Sequence, residues 1–206
     1  RILRDVKSFY SGFKSRVLDS INSGELSIKN VDGPFDLDSE IRNAKNAAKP
    51  MYTASIALSM NELNRVFDLE LDATTQNKFV RLVVEKLSTR YATQTMNSRY
   101  EELRVLFGNA QEQGQSIPEL AGTLTEYFDA LSGENAWKAT RIARTEAFYA
   151  WDQAAVNAYG EIGVTIVDVI GCEDEVGDCN RQNIPIGEAG DLEFHPNHTG
   201  TIVPSL

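Results

Sequence analysis

The sequence predicts a mainly α fold, an elongated bundle of long helices that ends in a small α+β tip. Three observations carry this reading. Apolar residues recur at three- and four-residue steps up to about residue 160, glycines and prolines punctuate those steps at wide intervals, and a single dense β-branched run follows.

The elements follow in order. Ile2, Val6, Phe9, Phe13, Val17 and Ile21 mark one face of an amphipathic helix that Gly24 stops. Gly33-Pro34 signals a turn, after which Asp38 or Ser39 is expected to cap a helix carrying Ile41, Ala44 and Ala48. Pro50 is expected to end that helix, because a proline ring fits a first turn and not an interior. Met51 to about Phe67 therefore reads as a separate element. Thr74 or Thr75 opens the longest helix, which runs to about Gln113 with Phe79, Val83, Leu87, Tyr91, Met96, Tyr100, Leu103 and Phe107 on its stripe, and Gly114 ends it. At ~1.5 Å per residue a helix of roughly 35 to 40 residues spans about 50 to 60 Å, which is the ground for expecting an elongated body.

Ser116-Ile-Pro-Glu119 is a capping box with proline in the first turn, so the next helix carries Leu120, Leu124 and Phe128 as far as Gly133. Glu134 to Tyr159 forms the last long helix, terminated by Gly160 and Gly163. Val164 to Ile170 then reads as a strand from its β-branched density. Regular structure is expected to be thin beyond Gly171. The domain plan is a helical body over residues 1–160 and a tip over 161–206, with no flexible linker between them.

Of the 206 residues 42% are apolar, enough to bury a core, and the formal net charge is -10. That balance argues against non-specific wrapping of nucleic acid, which needs clustered Lys and Arg, although a protein packed beside DNA can usefully be acidic. No run approaches the roughly 18 apolar residues of a membrane span, and no leader opens the chain, so it reads as a soluble, unsecreted protein. Beginning on Arg1, it also reads as a trimmed piece of something longer.

On a helical wheel Trp137, Arg141, Arg144, Phe148, Trp151 and Ala155 share one stripe, which places two arginines among aromatic rings. One reading is of surface arginines lying past a Trp. The sharper reading is a buried structural network of Arg141, Arg144, Thr145 and Glu146 that locks the body to the tip. Glu146 lies about 200° round the helix from Arg144 and about 140° from Arg141. It is therefore expected to reach another element, such as basic residues of a neighbouring helix or the tip loop.

Cys172, Cys179, His195 and His198 are all the cysteines and histidines of the chain. Two thiolates and two imidazoles could complete a tetrahedral structural zinc site, which would add folding energy to a tip poor in regular structure. The spacings, wider than usual between the cysteines and tighter than usual between the histidines, speak against it. The cysteines could equally be buried thiols or a short-loop disulfide, and His195 before Pro196 could simply fill a turn. Two cysteines are too few for a disulfide scaffold, so a reducing compartment is the default. A nuclease site would need a ββα frame, and nothing helical follows His198. Asp174, Glu175 and Asp178 could hold a hard cation, though such loops are more often solvated.

Taken in order, Gly114-Gln-Ser-Ile-Pro-Glu-Leu120, Ala139-Thr-Arg-Ile-Ala-Arg-Thr-Glu146, Gly163-Val-Thr165, Asp174-Glu-Val-Gly-Asp-Cys179 and His195-Pro-Asn-His198 resemble the C-terminal half of the phage Mu F-like minor head proteins. The family's Arg-Thr-Glu triplet maps onto Arg144, Thr145 and Glu146, with Arg141 in its preceding arginine position. The family's loop often ends His-Pro-Asn-Cys-Arg-Cys. Here His198 keeps ligand chemistry, while Gly200 replaces the later cysteine, which weakens a shared metal centre. The resemblance implies a structural, non-enzymatic virion protein without catalytic residues or a small-molecule substrate. Such a protein would associate with the portal protein, the major capsid protein or both, inside the capsid near the portal, after assembling in the host cytoplasm. Packaged DNA would lie nearby without specific binding, and no membrane would be involved. The alternative is a delivered effector or metal-dependent, nuclease-like module that uses the Cys/His loop.

Overall fold

The computed structural model describes residues 2–24, 36–67, 73–134, 136–171, 180–192, 194 and 200–205. Its elements are helices α1 (Ile2–Asn22), α2 (Leu37–Phe67), α3 (Ala73–Glu112), α4 (Ile117–Ser132) and α5 (Trp137–Glu161), strand β1 (Ile166–Ile170), strand β2 (Arg181–Pro185), the short helix α6 (Ile186–Ala189) and strand β3 (Thr201–Pro204). The fold is mainly α with a small α+β tip, as expected, and its sheet is antiparallel with three strands. Among the described residues, no helix is long and apolar enough to cross a membrane.

Most helix ends lie where their local chemistry puts them. Gly24 and Gly114 adopt positive φ just past α1 and α3, and after α3 the Gln115 N–H closes back onto the Ala110 carbonyl at 2.9 Å. At the start of α4 the Ser116 N–H and hydroxyl both donate to Glu119, each at 2.7 Å. These bonds hold the Glu119 carboxyl below its ordinary range. Gly163, with φ of 83°, stops α5, and the Val164 N–H donates to the Tyr159 carbonyl at 3.0 Å.

Three boundaries differ from expectation. Asp36, not Asp38 or Ser39, caps α2: its carboxylate accepts the Ser39 N–H at 3.0 Å, so the helix starts at Leu37. Thr74 and Thr75 lie inside the first turn of α3, which begins at Ala73. Pro50 does not divide α2, which is continuous from Leu37 to Phe67. Proline at that position deprives the Asn46 carbonyl of its helical donor, a penalty of about 3 kcal/mol. The helix keeps running because Ala44, Ala48, Met51, Tyr52, Ile56, Met60 and Leu63 are all buried along it, at about 1.5–3 kcal/mol for each large side chain. Tertiary burial outweighs the local break. The turn expected at Gly33-Pro34 lies outside the described residues.

Contacts divide the chain into two units, Arg1–Ala48 with Ser88–Thr140, and Lys49–Leu87 with Arg141–Leu206. This is not the division at residue 160 that the sequence suggested, because α2, α3 and α5 each contribute to both units.

In the first unit, Phe9, Tyr10, Phe13 and Val17 of α1 are buried, as are Leu120, Leu124 and Phe128 of α4. The rings of Phe13 and Phe128 meet edge to face with centroids 5.3 Å apart. Lys7 closes the far end of α4, donating to the carbonyls of Gly133 at 3.0 Å and Glu134 at 3.2 Å, where the helix presents its unpaired acceptors. Arg16 of α1 grips the nearly buried Glu40 of α2 through two hydrogen bonds, at 2.7 and 2.6 Å.

In the second unit, β1 lies between β2 and β3. Its inward residues Val167 and Val169 are buried together with Ile184 and Ile202. The register slips opposite Asp168, where Asn183 takes a φ of 58° and donates its N–H to the Asp168 carboxylate at 2.8 Å. Ser205 donates to the same oxygen at 2.6 Å, and these bonds lower the Asp168 pKa. The segment after Gly171 is therefore richer in regular structure than expected. β2 and β3 escaped notice because they are short and carry prolines at their ends, and because β2 exposes most of its residues.

Candidate functional site

The part of α5 within the second unit carries the Arg-Thr-Glu triplet, and its inward face is unusually polar. Glu146 is 9% exposed, and the hydroxyl of buried Tyr52, on α2, donates to its Oε2. Three residues on, Tyr149 makes a two-way link to Phe194: its hydroxyl donates to the Phe194 carbonyl at 3.0 Å and accepts the Phe194 N–H at 2.9 Å. Gln153 donates to the Gly190 carbonyl at 2.6 Å, and Tyr159 reaches the Ile202 carbonyl at 3.5 Å. Steps of three and four residues keep Glu146, Tyr149 and Gln153 on one covered side of the helix, while Tyr159, about 120° round from Gln153, meets β3 on another.

The arginines are elsewhere. Arg141 and Arg144 are both exposed, so the buried arginine network expected on this stripe does not form. The reason is the same rotation that separated Glu146 from them: a helix that turns Glu146 inward must turn Arg144, about 200° away, outward. Thr145 only donates its hydroxyl to the Arg141 carbonyl one turn back, at 3.1 Å. Of the four residues singled out, Glu146 is the buried one, and its described donor is a tyrosine on a neighbouring helix.

A partly buried arginine among aromatic rings does exist, in the first unit. The Arg99 side chain is 14% exposed and pairs with Glu102 at 2.9 Å. Burial works against the Arg99 charge, but Tyr127, Tyr10 and Glu102 together outweigh it and raise its pKa, and burial pushes the Tyr127 hydroxyl pKa up. The sequence signal for this cluster is the Arg99-x-x-Glu102 step on α3, which pattern reading passed over because Tyr100 and Leu103 were assigned to the apolar stripe.

Two further features were not legible beforehand. Lys86 of α3 donates to the Gly190 carbonyl at 3.1 Å and to Asp191 at 2.7 Å, which lowers the Asp191 pKa. With Gln153 it fastens the turn after α6, beside a cleft of about 360 Å³ walled by Phe79, Leu82, Val83, Val156 and Ile186. The second feature is Asp152, which is 2% exposed and whose carboxylate the Ile202 amide approaches without full hydrogen-bond geometry. Burial pushes its carboxyl up to about 7, opposed in part by the Ile202 amide. Burial together with the nearby Asp152 raises the Tyr159 pKa as well.

Cys172, Cys179, His195 and His198, with Asp174, Glu175 and Asp178, lie outside the described residues, and the zinc reading keeps only the support of residue type. No protein-family model matches the chain, and no curated protein or solved structure does either.

Proposed function

We propose that the chain is a structural minor head protein of a tailed bacteriophage, one that associates with the portal protein, the major capsid protein or both during head morphogenesis. The ordered run of motifs from Gly114 to His198 supports the reading, and one structural observation carries it furthest. Four polar side chains of the Arg-Thr-Glu helix are engaged in joining elements. Glu146 joins α5 to α2, Tyr149 joins it to the segment at Phe194, Gln153 to the turn after α6, and Tyr159 to β3. The arginines of the same helix face outward, where a partner can reach them. A helix used this way is an architectural part with a docking side, and the reading assigns it no reaction.

Composition of purified particles tests this. A fixed copy number of the chain per head, retained with portal or capsid protein, together with misassembled heads when its gene is deleted, is the expected result. Particles that lack the chain would overturn the proposal. So would normal heads after deletion combined with a metal-dependent nuclease activity of the purified chain that disappears in His195→Ala.

A further inference from the structure

The minor-head reading uses the link from Tyr159 to β3 but not Asp152, which lies beside the same edge of β3. The Ser205 N–H donates to the Ile166 carbonyl at 3.1 Å, and Val203 and Thr201 pair with Asp168 and Ile170. Backbone groups alternate sides along a strand, so Val203 and Thr201 share the side of Ser205 and turn toward β1. Ile202, between them, turns its N–H and C=O to the free edge of β3. That edge is covered by α5. Tyr159 takes the Ile202 carbonyl, and Asp152, seven residues earlier and so nearly the same azimuth on the helix, lies toward the Ile202 amide.

We infer that Asp152 and Tyr159 form a proton-gated clamp on the free edge of β3: the strand is seated while the Asp152 carboxyl is protonated and loosens when it ionises. The argument is one of burial and edge geometry. A carboxylate that is 2% exposed and meets the Ile202 amide only short of full hydrogen-bond geometry is poorly compensated when charged, because burial outweighs that amide, whereas releasing a four-residue edge strand returns it to water. Of the charged groups that other elements bring to α5, Lys86 of α3 and Asp191 after α6 are paired with each other at 2.7 Å, and the influences on Asp152 are burial and the Ile202 amide. Besides Tyr159 on α5 itself, β3 contributes Thr201, Ile202, Val203 and Pro204, and the inward face of β1 contributes Val167 and Val169, none of which ionises. Among the described residues β3 pairs with β1 alone, so its local opening breaks a single ladder.

Amide hydrogen exchange tests the clamp directly. In the parent chain the protection of Thr201 and Val203, corrected for the intrinsic rate, is expected to fall by about 50-fold between pH 5 and pH 7 and to level off above pH 8. In Asp152→Asn the protection stays flat with pH. In Tyr159→Phe it is lower throughout but keeps the parent's slope. An equal fall in Asp152→Asn would overturn the inference. A flat parent profile would do the same, as would a fall shared equally by the α5 amides, which would mean that the unit opens as a whole. Should Asp152→Asn not fold, the carboxyl carbon shift of Asp152 followed by NMR serves in its place. A midpoint near neutrality that tracks loss of β3 protection supports the clamp, and a midpoint in the ordinary aspartate range refutes it.

Discussion

Arg16 reaches from α1 to Glu40 on α2 with both edges of its guanidinium engaged, Nε to Oε1 at 2.7 Å and Nη2 to Oε2 at 2.6 Å, and Glu40 is only 8% exposed. The planar fork matches the carboxylate plane, which a lysine ammonium cannot do.

Arg16→Ala therefore leaves a nearly buried carboxylate without its described partner. A loss of about 2 to 3 kcal/mol is expected in urea unfolding, at the lower part of the range for buried pairs because Arg16 itself is partly exposed. Arg16→Lys should recover only part of it. A loss below about 0.5 kcal/mol would show that water replaces the pair without penalty.

Removing the Tyr52 hydroxyl removes the described hydrogen bond between α2 and Glu146 while keeping the ring in place. Tyr52→Phe is expected to lower stability by about 1 to 3 kcal/mol, as for a charged acceptor stripped of a donor. Thermal or denaturant unfolding reads it, and an unchanged midpoint would contradict the assignment.

Arginine substitutions should rank by burial and not by motif. Arg144→Ala, on the exposed side of α5, is expected to change stability by less than about 0.5 kcal/mol. Arg99→Ala, whose side chain is 14% exposed and paired with Glu102, should remove about 1 to 3 kcal/mol. The reverse order would restore the network that the sequence suggested on α5.

Stability should depend on pH through Asp152. Its carboxyl is pushed up to about 7 in the folded chain from 3.8, so the folded state holds the proton more tightly. The stabilising contribution is fully present below about pH 4 and is lost as pH rises through 7. Asp152→Asn removes the titration, so its stability relative to the parent should improve by about 2 to 3 kcal/mol between pH 5 and pH 8. Other titrating groups are common to both proteins and cancel in the comparison. A constant difference across that range would mean that Asp152 does not titrate as described.

Residues whose signal is local were legible in advance. The α1 stripe from Val6 to Ile21 is buried as its periodicity requires, Ser116 and Glu119 form their capping bonds, and Gly163 ends α5 with a positive φ. In each case the information lies within one or two helical turns. Pro50 shows where such reasoning stops: the local rule breaks the helix, and the burial of Met51, Tyr52 and Ile56 keeps it continuous.

The sequence by itself determined a mainly helical chain with a small β-containing end, and the rotation that sets Glu146 apart from Arg141 and Arg144. It could not determine which side of α5 faces inward, because a helix bearing Trp137, Phe148 and Trp151 on one side and Glu146, Tyr149 and Gln153 on the other offers large side chains to both. Only the tertiary structure decided that the second side is covered, where Tyr52, Phe194 and Gly190 supply hydrogen-bond partners. The same holds for Asp152, an unremarkable helix residue whose burial arises when β3, some fifty residues later, closes over it. Contacts between residues so far apart in the chain depend on how elements meet, and no local pattern encodes that.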